Sequence, residues 1–534
     1  MNTEVPKLQD DQAARLADGF RQLGYSVDEV LDRLGAPGQD GLLRNSTMPA
    51  RNELADAVDA QADLIRLFVL QQSVPAERLA ASLRTAKLNF DELVAAGLLA
   101  PASDTQVQAV VDVRPYGFEV TSGAQHSADQ ANPNELSTNH PHPNELNTNQ
   151  FSTSFEGWIV SDHQPDLDFR PRPTRPDYVL GVNPASTTLA QLSPSAPVSR
   201  ALDLGTGCGV QSLHLSTHAE QIVATDLNPR ALALAELTMQ LNGVEVDLRL
   251  GDLYQPVQDE KFDLIVTNPP FVIAPPSADA ERLLYREGSL PGDQLVERVV
   301  RDGARRLRPG GVLQVLANWA NDAIAWQERL AAWALRDGFN LWAIERERLD
   351  PYAYIEMWLA DAGLAGTDLW EPKYRQWLAY FDQLGIEGVS MGWLTISPIL
   401  DGEPDIELES WPHQVAQPVG DLLASRQQRV QLAGATPDAK LAARWRLADD
   451  VVQETMGQPG AADPEYVVLR QSGALKRAMQ VDTAFGAILG ACDGELPLGV
   501  IIEAVAQLVD EELDRAEMMR RVDQAILDGY LLPA

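Results

Sequence analysis

The chain has 534 residues, too many for one ordinary core, so two to four domains are expected. Its composition is that of a folded protein, 45% hydrophobic and 22% charged, and no apolar run approaches the roughly 18 residues of a membrane span. A formal net charge of −35 repels nucleic-acid phosphate and anionic lipid at long range, two cysteines (Cys208 and Cys492) exclude a disulfide framework, and the N-terminus has no signal pattern; the expectation is a soluble cytoplasmic protein.

In chain order, residues 1–176 read as an N-terminal domain that is mainly helical, then stranded, in a winged-helix-like order. Its helical part ends in FDELVAAGLLAP, where Gly97 has the position of a helix C-terminal glycine. VQAVVDVRPYGFEV then alternates like a strand. A near-duplicate, ANPNELSTNH followed by PHPNELNTNQ, has little to bury and is expected to be a disordered insert over about 123–154. Its His140 and His142 read as part of a polar loop rather than a metal site. Arg170, Arg172 and Arg175 in FRPRPTRPDYV form a stiff cationic arm, and YVLGVNPASTTLAQL is a candidate flap carrying Ser186 and Thr187.

Over 177–400 strands alternate with helices, the pattern of an α/β domain with a mostly parallel sheet covered on both faces. Seven runs are candidate strands: SRALDLG, QIVATD, VDLRLGD, FDLIVTN, GGVLQVLANW, LWAIERERL and MGWLTIS. A helical insert is expected over about 351–388, with Tyr352, Tyr354, Trp358, Trp370, Tyr374, Trp377 and Tyr380; these are packing residues or a platform for a planar substrate. Residues 401–445 read as a linker. The last segment, 446–534, reads as a C-terminal domain, mainly helical and winged-helix-like, whose ILDGYLLP echoes the VAAGLLAP of the first.

The chemistry concentrates at strand ends. Asp203-Leu204-Gly205-Thr206-Gly207-Cys208-Gly209 turns the chain from the first strand into a helix, and its glycines leave bare backbone for a ligand. The spacing G-x-G-x-G puts Val210 where a dinucleotide fold needs its third glycine, so a nicotinamide site is excluded. The second strand ends in Asp226-Leu227, where a carboxylate can hold ribose hydroxyls, and the third in Asp252-Leu253. The fourth ends in Asn268-Pro269-Pro270-Phe271. Neither proline can donate to a neighbouring strand, so pairing stops there and the backbone carbonyl is held at fixed φ. His214 and His218 lie four apart without the glutamate of a zinc-protease motif, and Cys208 reads as packing.

This series of strand ends resembles the class I S-adenosylmethionine-dependent N-methyltransferases with an NPPF motif, in the small-domain methyltransferase superfamily. The resemblance spans roughly 178–320. It implies a Rossmann-like seven-stranded sheet and S-adenosyl-L-methionine as cofactor, held by Asp203, Gly205, Thr206, Gly207, Gly209, Asp226, Leu227, Asp252, Leu253 and Asn268. It implies that Asn268, Pro269, Pro270 and Phe271 align a nitrogen conjugated to a planar group. Within the superfamily the sequence resembles both the release-factor glutamine methyltransferases and the ribosomal RNA guanine-N2 methyltransferases. Val272-Ile273-Ala274-Pro275 and the acidity favour a protein glutamine side chain as acceptor. An RNA base, a small molecule, or a cofactor-binding scaffold follow in that order.

Overall fold

The computed structural model describes residues 5–121, 152–165, 167–169, 175–276, 286, 288, 290–458, 466–509 and 514–534. The insert expected over about 123–154 lies outside the described residues up to position 151, and so do Arg170 and Arg172; positions 152–154 already belong to a strand. The chain divides into two compact units: Met1–Ser186, Ser195–Pro291 and Ile355–Tyr380 form one, and Thr187–Pro194, Gly292–Tyr354 and Phe381–Ala534 the other.

The first unit opens with the helices Asp10–Gln22 and Val27–Leu43. Ser26 caps the second by accepting the Glu29 N–H, and a kink at Gly35, two residues before Pro37, breaks it. Further on, strand Val74–Pro75 leads into the helix pair Ala76–Thr85 and Phe90–Ala95, and strands Leu99–Pro101 and Gln106–Ala109 follow. Gln106–Ala109 lies at the centre of that three-stranded antiparallel sheet.

A long antiparallel hairpin comes next, Asp112–Thr121 against Ser152–Ser161, in register from Asp112↔Ser161 to Thr121↔Ser152. Its outer edge is not left bare. The Trp158 N–H donates to Asn242 Oδ1 at 3.0 Å and the Val160 N–H to Thr238 Oγ1 at 3.0 Å, both on helix Pro229–Asn242. One apolar core, in which the Phe20 ring meets those of Tyr25, Phe68 and Trp158, runs from Leu8 to Leu241 and joins this N-terminal part to that helix.

The same unit holds four strands: β1 (Val198–Leu204), β2 (Ala219–Asp226), β3 (Asp247–Leu250) and β4 (Phe262–Thr267). They run parallel in the order β4-β1-β2-β3, so the chain reverses direction of growth after β3. Such a reversal opens a crevice at the carboxyl ends of β1 and β4, where open α/β sheets bind ligands.

The second unit holds β5 (Leu307–Asn321), β6 (Phe339–Leu349), β7 (Gly388–Pro398) and β8 (Ile406–Ser410), in the order β5-β7-β6-β8. β7 is antiparallel to both its neighbours, and β8 is parallel to β6. Within each unit helices alternate with the strands along the chain. All seven strands expected from the sequence are present; the eighth is a correction. It comes from 401–445, expected as a linker, which instead contributes β8 and the helices Gly420–Ala424, Arg426–Ala433 and Pro437–Ala442. The polar composition reflects ion pairing: Arg426 binds Asp405 at 2.9 Å and Glu407 at 3.1 Å.

The C-terminal part has its own core, from Trp445 to Leu531. Strand Arg444–Leu447 lies between Asp493–Pro497 and Leu531–Pro533, with the helices Leu498–Val509 and Arg515–Leu527 connecting those two edges. The insert expected over 351–388 consists of helices Pro351–Asp361 and Trp370–Leu384.

Candidate active site

β1 delivers the glycine turn because Ala201, Leu202 and Leu204 are buried and fix the strand in the sheet up to its last residue. Gly205, Gly207 and Gly209 all take positive φ, +76°, +57° and +90°, which a side chain would resist. Their surroundings differ. A Cβ on Gly205 or Gly207 would meet nothing within 4 Å, whereas one on Gly209 would meet Met239 Cε at 2.8 Å and Ala235 at 3.6 Å. The first two glycines therefore face open space and the third lets helix Val210–Leu215 lie close to helix Pro229–Asn242.

Asp203 organises the turn. Its Oδ2 accepts from Thr206 Oγ1 at 2.7 Å, from the Ser212 N–H at 3.0 Å and from Ser212 Oγ at 2.7 Å. The residue is 1% exposed, and burial pushes its carboxyl up to about 6 against those three hydrogen bonds. In this geometry Asp203 and Thr206 shape the loop from behind.

Asp226, at the end of β2, closes the loop from the other side. Oδ2 accepts the Gly207 N–H at 3.0 Å and Oδ1 the Asn228 N–H at 2.8 Å, while burial raises its carboxyl above the ordinary range. Leu227 beside it is 50% exposed, an apolar side chain left at the mouth of the crevice. After β3 the Gly251 N–H donates to the Asp226 carbonyl at 3.0 Å, which draws the third strand end toward the second. Asp252 and Leu253 follow, with Leu253 at φ +46° and the Gln255 N–H on the Asp252 carbonyl at 2.9 Å.

β4 ends beside β1: Thr267 Oγ1 donates to the Leu204 carbonyl at 2.8 Å. The next residue, Asn268, has its Oδ1 buried with no hydrogen-bond donor among the described residues. A buried amide oxygen left without a donor costs on the order of 1–3 kcal/mol, so it is a site demanding a partner. Pro269 is buried and Pro270 half-buried. Val272 and Ile273, both buried, then anchor the segment.

Three residues fasten this segment: Arg286 and Asp361, which the sequence left unassigned, and Trp358, one of the aromatics expected as packing or a substrate platform. The Val272 N–H donates to the Arg286 carbonyl at 2.9 Å. Arg286 Nη1 in turn donates to the Trp358 carbonyl at 3.1 Å and to Asp361 Oδ2 at 2.5 Å, with its guanidinium 5.7 Å from the Trp358 ring centre. Phe271 meets Trp358 edge-on, ring centres 6.3 Å apart. Of the insert's aromatics, Trp358 thus borders the NPPF segment, while Tyr354 packs on Phe381 and bonds Asn318. The pairing of Arg286 with Asp361 spans 75 residues and leaves no local pattern to read.

The flap begins helix Pro184–Leu192 with a reciprocal cap: the Asn183 N–H donates to Ser186 Oγ and the Ser186 N–H to Asn183 Oδ1, each at 3.0 Å. Gln211, on the helix after the glycine turn, donates to the Ser186 carbonyl at 2.7 Å. Thr187 is the next residue of that helix. His214 stacks on Phe118 at 3.7 Å and bonds Tyr116 at 2.7 Å, and burial lowers its pKa to about 4. Cys208 is buried, its thiol pushed up to about 12. Among the described residues no group of acidic, histidine or cysteine side chains is placed to hold a metal.

The strand order, the open glycines and the acids at the ends of β1 and β2 make a Rossmann-like arrangement with a ligand crevice at its strand ends. The comparisons find methyltransferases over part of the chain. Residues 180–332 match the methyltransferase small domain, and residues 22–110 match a domain of unknown function (DUF7059). A ribosomal protein uL3 glutamine methyltransferase of Bradyrhizobium diazoefficiens is 36% identical over 126 residues, 22% of this chain and 40% of that protein. A release factor glutamine methyltransferase of Geobacter sulfurreducens is 35% identical over 127 residues, 21% and 43% respectively. A ribosomal RNA small subunit methyltransferase C of Alcanivorax borkumensis is 28% identical over 133 residues, 24% and 36%. The chain thus spans about two fifths of the length of these relatives. A solved T. thermophilus 16S rRNA N2 methyltransferase, in complex with AdoMet and guanosine, aligns over 51% of this chain and 60% of its own with 16% identity and a TM-score of 0.25.

Proposed function

We propose that the protein is an S-adenosylmethionine-dependent N-methyltransferase acting on the side-chain amide of a glutamine in a protein substrate. The observation that carries this reading is Asn268: a buried acceptor oxygen with no donor among the described residues, at the end of β4, followed by two prolines and an aromatic ring. An amide nitrogen is a weak nucleophile because its lone pair is delocalised into the carbonyl. Asn268 Oδ1 and the Pro269 carbonyl each accept one of its N–H groups, which leaves the lone pair facing away from both and stabilises the positive charge that develops on the nitrogen. Phe271 packs on the planar acceptor. Trp358, Arg286 and Asp361 keep the segment in place.

The residues at the crevice fit the cofactor. Gly205 and Gly207 offer bare backbone beside open space, Asp226 presents a buried carboxylate to ribose hydroxyls, and Leu227 and Leu253 offer apolar faces to the adenine with Asp252 accepting its amine. Bound there, S-adenosylmethionine supplies an electrophilic methyl group on a sulfonium. Asp203, Thr206 and Gly209 hold the shape of the loop that receives it.

The second reading, methylation of an exocyclic amine of an RNA base, is supported by the similarity to ribosomal RNA methyltransferases over the same stretch. The net charge of −35 weighs toward protein, since a protein substrate brings no phosphate charge. We read the two flanking modules, each a helix pair between antiparallel strands, as winged-helix-like. The experiment is mass spectrometry of proteins and RNA from cells lacking the gene. The glutamine reading expects one peptide to lose 14 mass units on a glutamine, and the RNA reading expects the loss on a nucleoside.

A further inference from the structure

The hairpin strand Ser152–Ser161 runs directly into Asp162, a carboxylate that is 8% exposed and lies in the first unit together with every residue it binds. Both its oxygens accept from Arg230 Nε, at 3.1 and 3.0 Å, and Oδ1 accepts from Arg230 Nη2 as well. Arg230 is equally buried and is the second residue of helix Pro229–Asn242, which begins just after the strand end carrying Asp226. Asp162 also grips a third segment. Its Oδ2 accepts the Val179 N–H at 2.9 Å, and its own N–H donates to the Val179 carbonyl at 3.1 Å. From Val179 the chain leads into the flap, passing so close to the hairpin end that a Cβ on Gly181 would stand 2.7 Å from Ser161 Oγ.

Asn228 ties the same segments together from the other side. Its N–H donates to Asp226 Oδ1 at 2.8 Å, its Oδ1 caps the helix by accepting the Arg230 N–H at 3.0 Å, and its Nδ2 donates to the Asp177 carbonyl at 2.9 Å. Asp226, Asn228 and Arg230 thus stand at alternate positions with separate tasks. The first is the carboxylate assigned to the ribose; the other two fasten its loop to Asp177 and, through Asp162, to Val179. A buried ion pair brings little or no net stability over a well-packed apolar pair, and its best attested use is to fix register. What the pair of Asp162 and Arg230 fixes is the place of the hairpin end and the flap approach against the loop of Asp226.

We propose that Asp162, with Asn228 and Arg230, is a positioning residue of the cofactor site, through which the N-terminal module sets the flap approach and the Asp226 loop in their binding arrangement before the cofactor arrives. This rests on the assignment of Asp226 to the ribose. A loop and a flap that are already in place spare the ligand the cost of ordering them, so the junction acts on cofactor affinity. It touches neither the cofactor nor the methyl acceptor.

The test uses the full chain with S-adenosylhomocysteine as the probe, its affinity read by calorimetry and the stability of each variant by urea unfolding. Asn228→Ser keeps an oxygen for the helix cap and loses the donor to Asp177; Arg230→Lys keeps the charge beside Asp162 and loses the fork. Each is expected to weaken the probe roughly tenfold and to speed hydrogen exchange over residues 177–183 in the free chain. Thr238→Val supplies the comparison for a merely structural bond, because Thr238 Oγ1 accepts the Val160 N–H at 3.0 Å farther along the same hairpin and helix. It is expected to lower the urea midpoint at least as far as the other two and to leave the affinity native. Native affinity in both Asn228→Ser and Arg230→Lys, or an equal loss in Thr238→Val, overturns the proposal. Absence of binding by the native chain overturns the assignment of the cofactor to this strand end, and the proposal with it.

Discussion

The Gly207 N–H donates to Asp226 Oδ2 at 3.0 Å, so the carboxylate at the end of β2 holds the glycine turn that follows β1. The same carboxylate is the one assigned to the ribose. Asp226→Ala therefore removes a ligand contact and a support of the loop together. Calorimetry is expected to show cofactor affinity falling roughly tenfold to a hundredfold, the loss of about 1.5–3 kcal/mol for hydrogen bonds to a charged group. Unchanged affinity would remove the ribose from this strand end.

The glycines separate binding from packing. Gly207→Ala puts a methyl group into the open space of the crevice and is expected to weaken the cofactor while costing about 1 kcal/mol of strain for its positive φ. Gly209→Ala carries comparable strain and also pushes Met239 aside. Its larger effect is expected in urea unfolding rather than in binding. A reversed order of the two effects would mean that the crevice lies elsewhere.

Asp203 gives a pH signature. Its carboxyl is raised to about 6, above its ordinary 3.8, by burial. The folded state then holds the proton more tightly than the unfolded chain, so this stabilising contribution is full below about pH 4 and is lost as pH rises through about 6. Asp203→Asn keeps an oxygen for Thr206 and Ser212 and has no proton to lose. Relative to the native chain its unfolding free energy is expected to rise between pH 4 and pH 6.5 by about 2–3 kcal/mol, measured by urea denaturation at each pH. A constant difference across that range would contradict the raised pKa.

Arg286 is 5% exposed and links Val272 to the insert helix through Trp358 and Asp361. Arg286→Met keeps the bulk and loses the hydrogen bonds. Because Asp361 is about half exposed and can be rehydrated, the expected cost in stability is only about 1–2 kcal/mol. Turnover is expected to fall more than tenfold with cofactor affinity retained, since the NPPF segment loses its fastening and a small misplacement there is expensive in rate. Turnover at the native level would make the insert a bystander.

The legible parts of the chain were those in which chemistry and geometry are local. Seven strands could be read because apolar runs bounded by turns mark most of them, β1, β2 and β4 above all, and the first four strand ends because an acid, a glycine series or an amide stands at each. The echo between VAAGLLAP and ILDGYLLP is a shared local geometry. Gly97 and Gly529 have φ of +80° and +79°, and the residue after each donates to the carbonyl five back, Leu98 to Leu93 at 3.0 Å and Tyr530 to Ala525 at 2.8 Å. Both helices end in the same cap and pass into a short edge strand.

What the sequence hides is pairing at a distance. The central strand beside the first of these edges, Gln106–Ala109, comes after its helices, and the one beside the second, Arg444–Leu447, comes before them. The two modules are thus related by a permutation that no run of residues displays. β8 was missed for a similar reason: Ile406–Ser410 is short and acidic, and becomes a strand through pairing with Leu341–Glu345 of β6.

The most direct test of the central claim is isotope-labelled methyl transfer. Purified chain, native or Asn268→Ala, is incubated with labelled S-adenosylmethionine and an extract of cells lacking the gene, and protein and RNA are separated and analysed by mass spectrometry. The account predicts label on the side-chain nitrogen of a glutamine with the native chain. It predicts transfer reduced roughly a hundredfold to a thousandfold by Asn268→Ala at unchanged cofactor affinity. Label on a nucleoside, or equal transfer by the two chains, would contradict it.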